Sequence, residues 1–172
     1  RACATSSDTT KTDGSGGAGA ALGMPAHYAV PTMSMVTPEQ QDAVQATLSD
    51  LDTTLVSIRR DIHAHPELSW HEARTTDLVG NRLVDAGCRV TRLPGTGLVA
   101  DLGPDDPAYR IALRADLDAL PVIERTGLPW ASTTDGIAHA CGHDVHTVAC
   151  LGAGLALAAR RETWERSGAA IR

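Results

Sequence analysis

A chain of 172 residues can bury one real hydrophobic core, and its length gives no ground for counting two domains. Its formal net charge of −6, with no Lys/Arg-rich run and few aromatics to stack bases, speaks against a nucleic-acid partner. No apolar run approaches the roughly 20 residues of a membrane-spanning helix, so no membrane partner is expected.

Four cysteines, Cys3, Cys88, Cys141 and Cys150, are scattered without a CxxC pair and read as the reduced thiols of a cytoplasmic protein. Lys11 is the only lysine and Phe is absent, a coding bias from which no function follows.

Residues 1–36 are rich in Ser, Thr, Gly and Ala and show no sustained period, which predicts a disordered, low-complexity leader. A lipid-bearing Cys3 is not expected, because no hydrophobic signal region precedes it. The chain opens on Arg, so a processed or partial product is expected. Order is predicted to begin at "TPEQ". Thr37 suits an N-cap, Pro38 the first helical position, and Gln40 completes a capping box. Val44, Leu48, Leu51, Leu55, Ile58 and Ile62 recur at steps of four and three, the stripe of a helix ending near His65-Pro66. Ser69 with Glu72 signals a second capping box and a helix to Gly87, with Ala73, Leu78 or Val79, Leu83 and Ala86 inward.

"CRVTRL" and "GLVADL", separated by "PGTG", have hairpin spacing, and "YRIALRAD" reads as a third strand, buried at Ile111-Ala112-Leu113. From Val145 to Arg161 the chain is apolar nearly all round, which predicts a buried helix. The order helix, helix, strand, strand, strand, helix is an α/β pattern over residues 37–161 whose sheet keeps an open edge. Residues 162–172 are expected to be a non-homologous or frayed tail.

Chemistry concentrates in "GIAHACGHDVHT", Gly136 to Thr147. Cys141 and His143 are a thiol and an imidazole in a loop, separated by a Gly that lets both face one divalent ion. A buried Cys beside a hydrogen-bonded His fits the same spacing. Asp116 and Asp118, at the end of a strand, repel each other unless a positive charge lies near. An ion on Cys141 and His143 would supply that charge, and so would Arg114 or Arg125. Cys141 as a nucleophile is less favoured, since a Cys-His catalytic pair normally joins separate elements. His63 and His65, at a helix end, suit capping or site lining better than metal ligation. A structural zinc module would need four well-spaced ligands, and His139, Cys141, His143 and His146 are too crowded for it.

"RRDIHAHPELSWHE" (Arg59–Glu72), "ALRADLDALPVIERTGLPWAS" (Ala112–Ser132) and "HACGHDVHTVACLGAGLAL" (His139–Leu157) together resemble the M20 metallopeptidase family, in its branch of N-acyl-amino-acid amidohydrolases. The resemblance runs from about Thr37 to Ala159. It implies a zinc-peptidase-like catalytic domain of three α/β/α layers, present in part, with an incomplete sheet and without the lid and dimerisation domain. It implies two divalent ions per complete site (Zn, Mn, Co or Ni), with Cys141 and His143 among the ligands and Asp118 supporting the catalytic carboxylate. Asp116 replaces a ligand His of other branches, and Asp116, His146 and His65 are possible site lining. The implied substrate is a small N-acyl amino acid, and the family forms homo-oligomers. The family's general base is the first Glu of a Glu-Glu pair, and no such pair occurs here. The expected activity is therefore amide hydrolysis by a parent enzyme, with this chain inactive alone; the alternative is a non-catalytic gene fragment or weak metal-binding protein.

Overall fold

The computed structural model describes residues 37–162, 166 and 168–172; the leader expected over residues 1–36 lies outside them. Helix α1 (Pro38–Ala64) starts as its sequence dictates: the Thr37 amide donates to Gln40 Oε1 at 3.0 Å, and the Gln40 amide to Thr37 Oγ1 at 3.3 Å. Its stripe sinks progressively, from half-buried Val44, Leu48, Leu51 and Leu55 to buried Ile58 and Ile62. The helix stops before Pro66, and its last carbonyls find partners. His65 Nδ1 donates to the Asp61 carbonyl at 2.8 Å, while the Thr133 amide and hydroxyl both donate to the Ala64 carbonyl, at 2.9 and 2.6 Å.

Helix α2 (Ala73–Asp85) corrects the expected capping box. Its N-cap is Glu72, which makes no side-chain cap. The Glu67 carboxylate instead accepts from the Arg74 amide at 2.9 Å and the Thr75 amide at 2.8 Å, placing negative charge on the helix's positive end. Ser69 is freed because the chain turns sharply between it and the helix, with Trp70 at φ +69. The buried face is Thr75, Thr76, Val79, Gly80 and Leu83: Val79 and Leu83 are inward as expected, while Ala73 is exposed and Ala86 half-buried.

Strands β1 (Arg89–Arg92) and β2 (Leu98–Asp101) form the expected antiparallel hairpin, in register Arg89 opposite Asp101 and Arg92 opposite Leu98. Gly95 and Gly97 in the turn take φ of +90 and +83, open to glycine without strain. Strand β3 (Tyr109–Ile111) is short and pairs in parallel with β4 (Ala169–Ile171). Two expectations fail here. Ile111 and Leu113 are each 45% exposed, because β3 is paired along one side only among the described residues. Leu113 and Leu117 border a cavity of about 490 Å³ with Leu98, Ala100, Cys150 and Leu151 rather than a closed core. The supposed frayed tail contains β4, whose Ala169 and Ala170 are buried at 4% and 0% exposure. Three residues are too few to show a period, and pairing with β3 makes them a strand.

Helix α3 (His143–Ala159) begins two residues earlier than expected, directly after Gly142, and its C-cap is Arg160. It packs antiparallel on α1. Arg160 Nη2 at its far end reaches the Ala43 carbonyl at 2.9 Å, while Asp144 at its near end meets Arg59 and His63. The helices approach so closely at Gly152 that a Cβ there would lie 2.9 Å from Leu55 Cδ1. Ile58, Ile62, Val79, Leu83, Val148 and Leu151 form the core, joined by Leu98 and Ala100 of the hairpin. No helix among the described residues is long and apolar enough to cross a membrane.

One polar cluster is buried beside this core. Asp144, 0% exposed, has its Oδ2 2.7 Å from Arg59 Nε and 2.7 Å from His63 Nδ1. His63 Nε2 lies 3.2 Å from Glu124 Oε1. The Ser132 amide donates to Glu124 Oε2 at 2.6 Å, and the Thr126 hydroxyl bonds Oε1. The Ser132 amide, the Thr126 hydroxyl and His63 hold the Glu124 carboxyl down to about 2 from its ordinary 4.5.

Ile62→Ala removes a side chain with no exposure and is expected to cost about 2–5 kcal/mol. Val56→Ala, at a position 40% exposed, should stay within about 0.5 kcal/mol; urea unfolding midpoints separate the two. Glu124 has a folded value below its unfolded one, so its contribution is full above pH 4.5 and is lost as the pH falls toward about 2. Thermal unfolding across that window should show a loss in the wild type that is smaller in Glu124→Gln.

Candidate metal centre

Three segments distant in sequence meet at Asp118. The first follows α1. The Ala119 amide donates to the Glu67 carbonyl at 2.7 Å, Leu68 bridges Ala119 in parallel, and the Ser69 hydroxyl donates to Asp118 Oδ2 at 3.0 Å. The second is the chain after β3, which carries Asp118 itself. The third is the start of α3, where Thr147 Oγ1 donates to the Asp116 carbonyl at 3.0 Å and fixes that strand end on the helix.

Cys141 and His143 both arrive at Asp118. His143 Nδ1 is 3.0 Å from Asp118 Oδ1 and 3.0 Å from its carbonyl oxygen. Cys141 Sγ approaches the same carbonyl at 3.8 Å. Gly142 between them takes φ +88 with nothing within 4 Å of a would-be Cβ, so backbone conformation rather than space calls for glycine. His143 is the first residue of α3 and not a loop residue, a correction that fixes its direction by the helix.

Burial by itself would raise the Asp118 carboxyl, but hydrogen bonds from Ser69, its own backbone surroundings and His143 outweigh it and leave the group below the ordinary carboxylate value. With Nδ1 donating to Asp118, the His143 tautomer places the lone pair on Nε2. This carboxylate–imidazole arrangement is the one that orients metal-binding histidines.

The other sequence candidates divide. Asp116 does not share the site with Asp118: Arg114 Nε and Nη2 hold its Oδ1 at 3.0 and 2.8 Å, the counter-ion alternative raised above. His146 is exposed, its ring 6.0 Å from that of His143. His65 is engaged at Asp61 as a helix cap, so the structure does not bring it to Asp118. Sequence reasoning missed Ser69 as a partner of Asp118, and it missed Asp144 and Glu124 altogether. The available signal was Arg59 and His63, four apart on α1 and therefore on one face. His139, weighed in the sequence only as a member of a crowded zinc module, is 3% exposed, and its two ring nitrogens have no hydrogen-bond partner among the described residues. Burial pushes the His139 imidazole below its ordinary value, against the opposing pull of Asp144. Cys88 and Cys150 are half-buried thiols pushed up by burial, which suits packing rather than reactivity.

Among the described residues no three His, Cys, Asp or Glu side chains form a group able to hold an ion. Cys141 and His143 nonetheless fit a divalent metal as two members of a larger set. They are a thiol and an imidazole, the second oriented by a carboxylate, where a tetrahedral site takes about four donors.

The chain is similar to known proteins in sequence and in fold. The family model described as Peptidase family M20/M25/M40 matches residues 112–171. An N-acetyl-L-cysteine deacetylase of Bacillus subtilis is 46% identical over 120 residues, 69% of this chain and 29% of that protein. A Rhodococcus jostii protein that carries the name glutamate–cysteine ligase 2-3 is 56% identical over 104 residues, 60% of this chain. The match takes in 13% of that protein. A solved dinuclear metal-binding peptidase of the M20 family from Bacillus subtilis superposes with a TM-score of 0.63 at 39% identity, covering 74% of this chain and 34% of its own. The chain thus spans about three-tenths of the length of the deacetylase it matches. The segment matched by the M20/M25/M40 family model contains Asp118, Cys141 and His143, and over it the chain is similar to peptidases of family M20.

Proposed function

We propose that this chain is part of a metal-dependent amidohydrolase that splits the amide bond of N-acyl amino acids, taking up water and releasing a carboxylic acid and an amino acid. The convergence of Cys141 and His143 on Asp118 carries the reading. The deacetylase relative supplies the substrate class, and the dinuclear M20 peptidase supports two divalent ions in a complete site.

In this reading Cys141 and His143 are two of the ligands of a divalent ion, Zn, Mn, Co or Ni. Asp118 holds the His143 ring and orients the site, Ser69 fixes the Asp118 carboxylate, and His146 borders it. A divalent ion supplies Lewis acidity toward the scissile carbonyl and acidifies water. The general base and the remaining ligands come from sequence beyond these residues, since the chain has no Glu-Glu pair. Homo-oligomeric assembly and a reducing, cytoplasmic setting belong to the same proposal. Free Cys88, Cys141 and Cys150 support the setting.

Two measurements test this. Metal analysis of the purified chain after dialysis against Zn²⁺ or Co²⁺ should find bound ion in the wild type and much less in Cys141→Ala; equal content in both would assign the binding elsewhere and favour a fragment without a retained site. Assayed with N-acetyl amino acids and added divalent ions, the 172-residue chain should show no turnover above the Cys141→Ala control. A longer protein carrying this segment should turn these substrates over and lose about 10²-fold or more on His143→Ala. Turnover by the short chain itself would overturn the claim that it lacks essential groups.

A further inference from the structure

We propose that Asp144, clamped by Arg59 and His63, is a positioning residue that sets the direction in which Cys141 and His143 present their metal-binding atoms. The proposal rests on the metal reading above and adds to it the residues that aim the site. Three observations carry it.

The first is where Asp144 stands. It follows His143 directly, in the first turn of α3, where backbone amides lack intrahelical partners and the helix end is least constrained. Gly142 before it at φ +88 is a hinge with open space around it. Left to itself, the Cys141–Gly142–His143 segment would have several directions available.

The second is how Asp144 is held. Its carboxylate is 0% exposed; Oδ2 is hydrogen-bonded with His63 Nδ1 at 2.7 Å and ion-paired with Arg59 Nε at 2.7 Å, while Oδ1 has no hydrogen-bond partner among the described residues. His63 is 81 residues away along the chain and is itself backed by Glu124 at 3.2 Å. The clamp ties the first turn of α3 to the last turns of α1, and thereby to the segment of Glu67, Leu68 and Ser69 that grips Asp118 and Ala119. His143 is therefore fixed from two sides: its ring by Asp118 and its backbone through Asp144.

The third is the energetics. A buried ion pair is a poor source of stability, since desolvating the charges offsets most of their attraction, and an apolar trio of similar volume would pack as well or better. Fixing one geometry is the better-attested use of such a group. Here the geometry fixed is that of the two candidate ligands.

The test uses Co²⁺ as the probe on the full chain, because a thiolate bound to Co²⁺ gives a charge-transfer band that reports Cys141 directly. Asp144→Asn keeps the shape and removes the charge. It is expected to retain the far-UV circular dichroism of the wild type, weaken Co²⁺ binding about 10–100-fold, and diminish the band per bound ion. Arg59→Gln, at a side chain 30% exposed and so able to stay solvated, should act in the same direction by several-fold. It decides the matter if Asp144→Asn does not fold. Ile62→Ala separates positioning from stability, since it should lower the unfolding midpoint and leave the band of the folded chain unchanged. A folded Asp144→Asn or Arg59→Gln with wild-type affinity and band would overturn the positioning role alone. A wild-type chain with no thiolate band at saturating Co²⁺ would overturn the metal reading, and this proposal with it.

Discussion

A carboxylate with no solvent exposure constrains everything around it, and Asp144 is the constraint on which this fold turns. Charge cannot be left in an apolar interior without partners. Arg59 and His63 must therefore stand opposite the first turn of α3, which requires α1 to end there and α3 to begin there. Antiparallel packing of the two helices, their close approach at Gly152 and the reach of Arg160 to the Ala43 carbonyl all follow from that alignment. The apolar core supplies the energy of assembly, but hydrophobic contact is indifferent to small slides of one helix along another. The ion pairs are not.

The site inherits this order. Asp118 lies between a segment after α1 and the start of α3, so the same alignment that sets Arg59 and His63 against Asp144 brings Ser69, Asp118, His143 and Cys141 together. What results is a polar seam at the edge of the helix pair. One side is buried and structural, around Asp144, His63 and Glu124. The other is partly open, with His143 and Asp118 each 24% exposed and Cys141 on the surface. An exposed thiol beside an oriented imidazole is chemically available, whereas Cys88 and Cys150 are held in packing roles.

Legibility in the sequence followed the range of the interactions. Thr37, Pro38 and Gln40 make a contact three residues long, and the capping box is readable from them alone. The hairpin is equally local, its turn announced by Gly95 and Gly97. Ser69 and Glu72 carry the same local signature as Thr37 and Gln40, yet Glu67 caps α2 and Ser69 turns to Asp118, because a tertiary partner competed for the hydroxyl. Strand β4 has no local signal at all; Ala169-Ala170-Ile171 becomes a strand only against β3. Cys141 and His143 were legible as a motif, and their meeting at Asp118 followed. Asp144 was invisible for the same reason that it matters: its partners lie on another helix, and nothing in "CGHD" says that the aspartate faces inward.

The parallel pairing of β3 with β4 has a kinetic side. Parallel neighbours cannot be joined by a tight turn, and the connection here runs through the whole of α3. As the polypeptide emerges from the ribosome, α1, α2 and the β1–β2 hairpin can associate through short-range contacts. The edge of β3, with Tyr109 and Ile111 exposed, has to wait until Ala169 to Ile171 appear. During that interval an unpaired, partly apolar strand edge is open to other chains. The segment that contains Asp118, Cys141 and His143 lies between the two strands in the sequence, so the donors are synthesised before that pair can close. Pairing of β3 is consequently among the last contacts available to the growing chain, after every residue of the centre has been synthesised.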